Sequence, residues 1–218
     1  MPTIKKLKLS QNLTRLAYDS IKSYILREDL DEEMRLTEDA LSSQLGISKS
    51  PVREALNSLQ TEGLIHIEPR RGAYLRRFSI QEVKDLYGVR EALEVYAVGS
   101  AAITPELLDG LRQSIQRMQK FLKAIDRPGH IDEDVKFHGM IATAAGNAEL
   151  CRNLSNLQSQ IWLCRRRTYD LSSSTSPDAH NAILEALKSG HSKAAQVAMK
   201  NHIEFVRDRL ITYMESTK

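Results

Sequence analysis

The sequence has few features that would place the protein in a membrane or outside the cell. Its 218 residues include only two cysteines, Cys151 and Cys164. No N-terminal stretch combines a basic start, an apolar segment and a small-residue cleavage site, so we expect both thiols to be reduced rather than bridged. No apolar run approaches the ~18 residues that a membrane helix needs. We therefore expect a cytoplasmic protein with no membrane partner.

The chain also lacks a strong net charge. Its formal charge is +3, and 41% hydrophobic with 27% charged residues is an ordinary globular balance. Residues 1–78 contain 13 Lys and Arg against 11 Asp and Glu, and the remainder contains 18 against 17. Any nucleic-acid surface must therefore arise from local placement of basic side chains. Residues 1–10, which contain three lysines, are expected to form a mobile arm.

The first third of the chain has the element order of a winged helix-turn-helix. Apolar periodicity, capping residues and turn signals mark these elements. The predicted elements are a helix at 12–28, an acidic loop at 28–33, a helix from Thr37 to Gly46, a helix from Ser48 or Ser50 to about Thr61, and strands at 64–68 and 73–77. In such a unit, the helix that follows the turn inserts its N-terminal end into the major groove of DNA. The tip of the hairpin contacts the DNA backbone or the minor groove.

Polar and basic residues are concentrated at these two places. Arg53 can donate two hydrogen bonds to guanine, Lys49 can reach guanine or phosphate, and arginines at the hairpin tip can reach the DNA backbone. The alternative is that they are solvated charges on a small helical unit. The predicted DNA-binding residues are Arg35, Ser48, Lys49, Ser50, Arg53, Arg70, Arg71 and Gly72.

From residue 79 onward the pattern is helical, so we expect a mainly α protein with domains at 1–78 and 79–218. The predicted helices are 80–102, 105–126, 131–145, 148–170, 177–189 and 192–215. A run of five residues, 172–176, is predicted to be a short polar loop.

One carboxylate and three imidazoles in this part form a candidate metal site. Asp134 and His138 are four residues apart, so they share a helix face, and His180 and His202 fall in two further helices. If these side chains converge, they would hold a divalent ion such as Zn, Ni or Mn. Alternatively they are partly buried structural histidines. The other histidines, His66, His130 and His191, are expected on the surface.

The sequence resembles a family of bacterial regulators in both parts. The segments LGISKSPVREAL at 45–56, EGL at 62–64 and PRRGA at 69–73 resemble the winged-helix signature of the GntR family. The segments LYGVREALE at 86–94, DVKFH at 134–138, AAGN at 144–147 and HNAI at 180–183, with His202, resemble the six-helix FCD effector domain of the FadR subfamily, in its shorter VanR-like group. Lys49 departs from the family pattern, which usually has Arg there, and a single ammonium makes no two-pronged contact.

This resemblance implies a homodimeric regulator, expected to be a repressor, that binds a short pseudo-palindromic DNA operator and responds to a small carboxylate. It also implies that Asp134, His138, His180 and His202 are metal ligands, with open coordination positions for the effector. Arg90 and Arg166 are the predicted effector-binding residues, and Arg165 and Arg167 are further candidates to line the pocket.

Two other functions are weighed against this regulator. One is a metal-dependent hydrolase fused to a DNA-binding domain, but the sequence has no HExxH motif and no nucleophile motif. The other is a regulator with a purely structural metal, whose effector binds elsewhere. We expect a protein that is not an enzyme.

Overall fold

The computed structural model describes residues 11–28, 30–31, 33–165 and 168–217, which form two compact units divided between Arg77 and Phe78. The mainly helical fold is as predicted. The basic arm predicted at 1–10 lies outside the described residues, as do Arg166 and Arg167. Within the described part of the chain, no helix is both long and apolar enough to cross a bilayer.

The first unit is a helix-turn-helix followed by a two-stranded hairpin. Thr37 caps the second helix by accepting a hydrogen bond from the backbone N–H of Ala40, and Gly46 ends it in the left-handed region at φ +65°. Ser48 is the residue before the third helix, so this helix begins at the earlier of the two predicted positions. The elements are α1 (Gln11–Arg27), α2 (Glu38–Leu45), α3 (Lys49–Thr61), β1 (Ile65–Glu68) and β2 (Gly72–Leu75).

The hairpin is fixed to the helices by a further pairing. Strands β1 and β2 are antiparallel, with Ile65 opposite Leu75. Leu36, just before α2, forms an isolated bridge with Ala73, and the two backbone hydrogen bonds are 2.8 and 2.9 Å long. This bridge holds the segment that precedes α2 against the hairpin.

Helix α1 packs against α3 and closes the core of the first unit. Its apolar face is spaced at intervals of four, which suits a helix that buries one side. The most deeply buried side chains of this core are Ile21, Ile25, Val52, Leu56, Leu59, Leu64 and Leu75.

The second unit consists of helices whose starts are set by local capping. Ser79 and Glu82 form a capping box, and Thr104 caps a helix whose first residue is Pro105. Asn147 accepts a 3.0 Å hydrogen bond from the backbone N–H of Leu150, as predicted for a helix cap. The elements are α4 (Ile80–Ser100), α5 (Pro105–Lys123), α6 (Arg127–Ala144), α7 (Ala148–Arg165), α8 (Tyr169–Ser172), a 3₁₀ turn (Ser173–Thr175), α9 (Ser176–Lys188) and α10 (Ser192–Ser216).

The prediction of a polar loop at 172–176 is wrong. These residues form the end of α8, the 3₁₀ turn and the first residue of α9, and three of the serines are buried. The physical reason is that the Ser176 hydroxyl donates to Asp134 in the interior, so this polar segment lies against a buried polar site rather than in water. Helix α6 also begins four residues earlier than predicted, because Asp126 caps it through the backbone N–H of Gly129.

The second unit is built around α6. Its Phe137 and Ile141 are almost completely buried. Helix α5 packs along α6 and α9, α10 packs along α4 and α9, and α7 packs on α4 and α6. The inner faces of α6, α9 and α10 therefore meet inside this unit, and polar side chains on those faces are held in the interior.

Candidate metal centre and DNA-binding surface

The start of α3 carries an exposed polar surface. Ser48, Lys49, Ser50 and Arg53 are all exposed, while Val52 on the opposite side of the helix is buried. The Ser48 side chain makes no capping hydrogen bond, so its hydroxyl is available to an external acceptor. This arrangement presents the predicted contacts to solvent from one end of one helix, which is what insertion into a major groove requires.

Both basic side chains on this surface are paired with acidic residues at the start of α2. The guanidinium of Arg53 donates from Nε and Nη2 to the two carboxylate oxygens of Glu38, each at 2.7 Å. Lys49 forms an ion pair with Asp39. Hydrogen bonds from Arg53 lower the pKa of Glu38. The two carboxylates, which lie in the first turn of α2, were not predicted as part of the site.

The hairpin turn holds the remaining predicted DNA contacts. Arg70 and Arg71 are exposed, and Arg71 forms a 3.3 Å ion pair with Glu68. Gly72 has φ +116°, and a Cβ there would lie 3.0 Å from the Leu36 carbonyl oxygen and 3.0 Å from Arg35 Nε. Glycine is therefore required at this position, and the exposed Arg35 lies beside the hairpin with Arg70 and Arg71.

In the second unit, three histidines from three helices meet in the interior. His138 lies on α6, His180 on α9 and His202 on α10, and all three are buried. One ring nitrogen of each lies within 4.8 Å of the others. The Nε2 atoms of His138 and His180 are 3.2 Å apart. This is the spacing expected of two ligands on one ion, since two nitrogens bound tetrahedrally to zinc at about 2.0–2.1 Å lie about 3.3 Å apart.

Asp134 lies next to this cluster, one turn before His138. Its Oδ1 atom is 3.5 Å from His180 Nε2, and its Oδ2 atom is 3.6 Å from Arg165 Nη1. Burial raises the pKa of Asp134, but Arg165 and the neighbouring imidazoles hold it below its ordinary range. The structure thus brings the three predicted histidine ligands together, and it places the ionised carboxylate of Asp134, the fourth predicted ligand, at their edge beside His180.

The hydrogen bonds around the cluster favour one arrangement of the ring protons. A carboxylate accepts only, so Ser176 donates its hydroxyl proton to Asp134 at 3.3 Å. The same hydroxyl oxygen is 3.3 Å from His180 Nδ1 and is then free to accept from it. His138 Nδ1 contacts the carboxylate of Glu94, which also requires an N–H there. With both Nδ1 atoms protonated, each Nε2 atom carries a lone pair, and His138 Nε2 accepts from Arg90 Nη2 at 3.3 Å.

Such an arrangement suits a cation. Burial lowers the pKa of His180 to about 3 and lowers that of His202 well below its ordinary value, so both imidazoles are neutral near pH 7. Both ring nitrogens of His202 lack a hydrogen-bond partner among the described residues. Neutral imidazoles together with one carboxylate are the form in which these side chains bind a divalent metal, and at His138 Nε2 the ion would replace a 3.3 Å contact with Arg90 Nη2. The residues present fit such an ion.

A second layer of charges orients the cluster. Glu94 on α4 contacts His138, and it accepts a 2.7 Å hydrogen bond from Arg90 Nε. Burial raises the pKa of Glu94, but His138 and Arg90 lower it to about 2, so the carboxylate stays ionised. A carboxylate on the outer nitrogen of a ligating histidine fixes its ring orientation and tautomer. Glu94 was not predicted, although it lies four residues after Arg90 on the same helix face.

Beside the cluster, a cavity lies between α6 and α7. Asp134 and His138 are among the polar residues that line it. Its free volume is about 30 Å³, which is room for roughly one water molecule. Arg90 Nη1 has no hydrogen-bond partner among the described residues. The lining consists of Arg90, His130, Ile131, Asp134, Val135, His138, Gln158, Ile161, Trp162, Arg165 and Tyr169. Arg166, the other predicted effector residue, lies outside the described residues.

The expectation that His130 is a surface residue is wrong, because its side chain is completely buried and lines this cavity. It lies four residues before Asp134, so it shares the helix face of Asp134 and His138. That spacing was visible in the sequence. His66 and His191 are exposed, as predicted.

Two protein-family models match this chain, one in each of its two units. The model for bacterial regulatory proteins of the gntR family matches residues 13–75, and the model for the FCD domain matches residues 85–205. The chain belongs to the GntR family of bacterial regulators. This GntR-family protein is thus a DNA-binding transcription regulator with a helical FCD domain.

Several regulators resemble the GntR-family chain over most of its length. The HTH-type transcriptional regulator LutR of Bacillus subtilis is 30% identical over 81% of this chain and 90% of its own. A probable D-xylose utilization operon transcriptional repressor of Paenarthrobacter nicotinovorans is 26% identical over 89% of each chain. The solved structure of McbR/YncC from E. coli has a TM-score of 0.81 at 20% identity, covering 95% of this chain and 100% of its own, which supports the fold.

Proposed function

We propose that this protein is a transcription regulator whose affinity for its DNA operator is set by a small carboxylate bound beside a divalent metal. Asp134, His138, His180 and His202 would hold the metal, which we expect to be Zn, Ni or Mn. One observation carries the proposal: the Nε2 atoms of His138 and His180 face each other at 3.2 Å, and the contacts of their Nδ1 atoms with Glu94 and Ser176 favour a lone pair on each Nε2. Two lone pairs at that distance are stabilised by a cation between them.

The cavity beside the cluster supports a carboxylate as the ligand. Arg90, whose buried Nη1 has no hydrogen-bond partner among the described residues, lines this cavity together with Arg165. A buried guanidinium favours a carboxylate, because charge-assisted hydrogen bonds are stronger than neutral ones. The bound ion would supply positive charge and open coordination positions for a carboxylate oxygen. Arg90 and Arg165 then orient the ligand.

The DNA-binding surface supports a symmetric operator read by two copies of the chain. A single winged helix offers one α3 end and one hairpin, which is few base contacts for specific binding. A homodimer that reads two half-sites of a pseudo-palindrome doubles those contacts. In this proposal, Arg53 and Lys49 contact bases or phosphates, and Arg35, Arg70 and Arg71 contact the backbone or minor groove.

The proposal is tested with full-length protein and a DNA duplex selected by that protein from a random pool. Fluorescence anisotropy gives the Kd for this duplex with chelated protein, with protein loaded with Zn, Ni or Mn, and with loaded protein plus a panel of carboxylates. We expect at least one carboxylate to change the Kd at least fivefold in the metal-loaded form and not in the chelated form.

A matched pair of variants serves as the control. His180→Ala removes a proposed ligand, and His191→Ala removes an exposed histidine that lies outside the cluster. We expect the carboxylate response to be lost only in His180→Ala. A purely structural metal would instead give a lower melting temperature on chelation with no carboxylate effect on DNA binding in either form, and that result would contradict the proposal.

A further inference from the structure

His130 is a buried polar side chain that no described residue satisfies. It lies on α6, its exposed fraction is 0%, and neither ring nitrogen has a hydrogen-bond partner among the described residues. Leaving a buried donor or acceptor unpaired opposes folding, so a protein retains such a group mostly where another molecule completes it. The imidazole of His130 lines the cavity between α6 and α7, which is where such a molecule would lie.

The surroundings of His130 hold its ring in place without supplying a hydrogen bond. The edge of the ring packs against Tyr169 at a centroid distance of 5.4 Å, and the Arg127 guanidinium lies over the Tyr169 ring. Burial lowers the pKa of His130, an effect that Arg165 reinforces and Asp134 opposes. A neutral imidazole offers one N–H donor and one acceptor, so it recognises an oxygen function in a ligand.

The position of His130 defines the length of that ligand. His130, Asp134 and His138 occupy three successive turns on one face of α6, so His130 lies about 6 Å along the helix from Asp134. The cavity lining also includes the apolar side chains of Ile131, Val135 and Ile161. A ligand whose carboxylate lies beside Asp134 reaches His130 with roughly five carbon atoms, because carbon–carbon bonds are about 1.5 Å long.

We propose that His130 binds a second oxygen function at the far end of the effector, which is therefore a carboxylic acid of about four to six carbons with a terminal hydroxyl or carboxyl group and an unsubstituted middle. This inference rests on the proposed function, because it places the first carboxylate beside the metal cluster. It assigns His130 as the residue that selects the effector by length and by its second polar group.

The free space in the cavity implies that its outer wall moves when such a ligand binds. About 30 Å³ is smaller than a five-carbon acid, and the side chains of Gln158 and Trp162 on α7 are half-buried at this wall. Trp162 is the only tryptophan in the chain. Its fluorescence therefore reports directly on the entry of a ligand.

The experiment uses metal-loaded, full-length protein and three straight-chain probes: pentanoate, 5-hydroxypentanoate and glutarate. Trp162 fluorescence and calorimetry give a Kd for each. Two of the probes, 5-hydroxypentanoate and glutarate, carry a second oxygen function at the far end. We expect at least one of them to bind with a Kd about tenfold lower than that of pentanoate, which is the effect of satisfying one buried hydrogen bond. Which of the two gains more distinguishes a hydroxyl from a carboxylate as the second group.

His130→Phe keeps a ring against Tyr169 and removes both nitrogens. We expect it to bind all three probes with the affinity of pentanoate while retaining wild-type metal content by elemental analysis. His130→Gln, which keeps a donor and an acceptor, is expected to retain part of the discrimination and serves if His130→Phe does not fold. His191→Phe, an exposed matched control, is expected to discriminate as wild type does.

Two results contradict different claims. If the three probes bind wild-type protein equally, or if His130→Phe discriminates among them as well as wild type does, the role given to His130 is wrong and the proposed function stands. If no carboxylate binds the metal-loaded protein at all, the proposed function is itself wrong, and the inference fails with it.

Discussion

Removal of Arg53 should weaken operator binding and reduce sequence discrimination together. The Arg53 guanidinium is exposed at the start of α3 and is held by both oxygens of Glu38 at 2.7 Å. A guanidinium that is already oriented loses less conformational freedom when it docks on the O6 and N7 atoms of guanine. We expect Arg53→Ala to raise the Kd for the selected duplex about five- to 150-fold, with discrimination relaxed at one base pair of each half-site.

The same geometry predicts an opposite change on removal of its partner. Glu38 holds Arg53 by charge, and its carboxylate also repels DNA phosphates. Glu38→Gln keeps the size of the side chain and removes its charge. We expect nonspecific DNA to bind up to about fivefold more tightly, because a repelling charge is removed, and the selected duplex to gain less, because Arg53 is no longer held in place for guanine. In the double variant, Glu38→Gln should leave the loss of base discrimination caused by Arg53→Ala unchanged.

The assay is anisotropy of labelled duplex at three salt concentrations, with the selected sequence and a scrambled one. Arg71→Ala is the comparison variant, since it lies on the hairpin turn and should weaken binding to both sequences alike while lowering the salt dependence. If Arg53→Ala left both affinity and base preference unchanged, α3 would not enter the major groove by its N-terminal end.

Further predictions concern stability. Gly72→Ala should lower the free energy of unfolding by about 1–3 kcal/mol, because φ +116° and the 3.0 Å approach to the Leu36 carbonyl both oppose a Cβ; chemical denaturation measures it. Gly88→Ala, where a Cβ meets nothing within 4 Å on α4, should instead stabilise by up to about 1 kcal/mol. Chelated protein should lose stability as pH falls below about 6.5, since the unfolded chain takes up protons at His180 and His202 that the folded chain binds only at lower pH. The slope should approach about 1.4 kcal/mol per pH unit for each imidazole; equal stability in urea at pH 7 and pH 5 would contradict this pKa assignment.

The elements of the first unit were predictable because their signals are local. Thr37, Gly46 and Gly63 mark helix ends through capping and left-handed backbone, which depend on neighbours only a few residues away. The helices of the second unit followed from the same kind of signal at Ser79 and Thr104. The early start of α6 at Asp126 was also a local signal and was missed, whereas two other errors lie where distant contacts decide.

The serines of 172–176 are such a case. Their composition predicts an exposed loop. Ser176 is nevertheless buried, because its hydroxyl lies beside Asp134, which is distant in sequence, and beside His180, which is one helical turn further along. His130 is a second residue whose environment is set by distant contacts, since its burial depends on Tyr169 and on the packing of α7 on α6. Spacing identified Asp134 and His138 as neighbours, but it gave no information on how α9 and α10 meet α6.

The most direct test of the account is calorimetric titration of a divalent metal into chelator-treated, full-length protein. With Zn, Ni or Mn, the account predicts about one ion bound per chain, a raised melting temperature as the ion binds the folded state, and release of the ion below about pH 6 as imidazoles protonate. His202→Ala should abolish this binding, and His66→Ala, an exposed histidine on β1, should preserve it. Absence of binding for all three metals, or equal binding by wild type and His202→Ala, would contradict the account and leave the cluster as a buried polar group of the helical core.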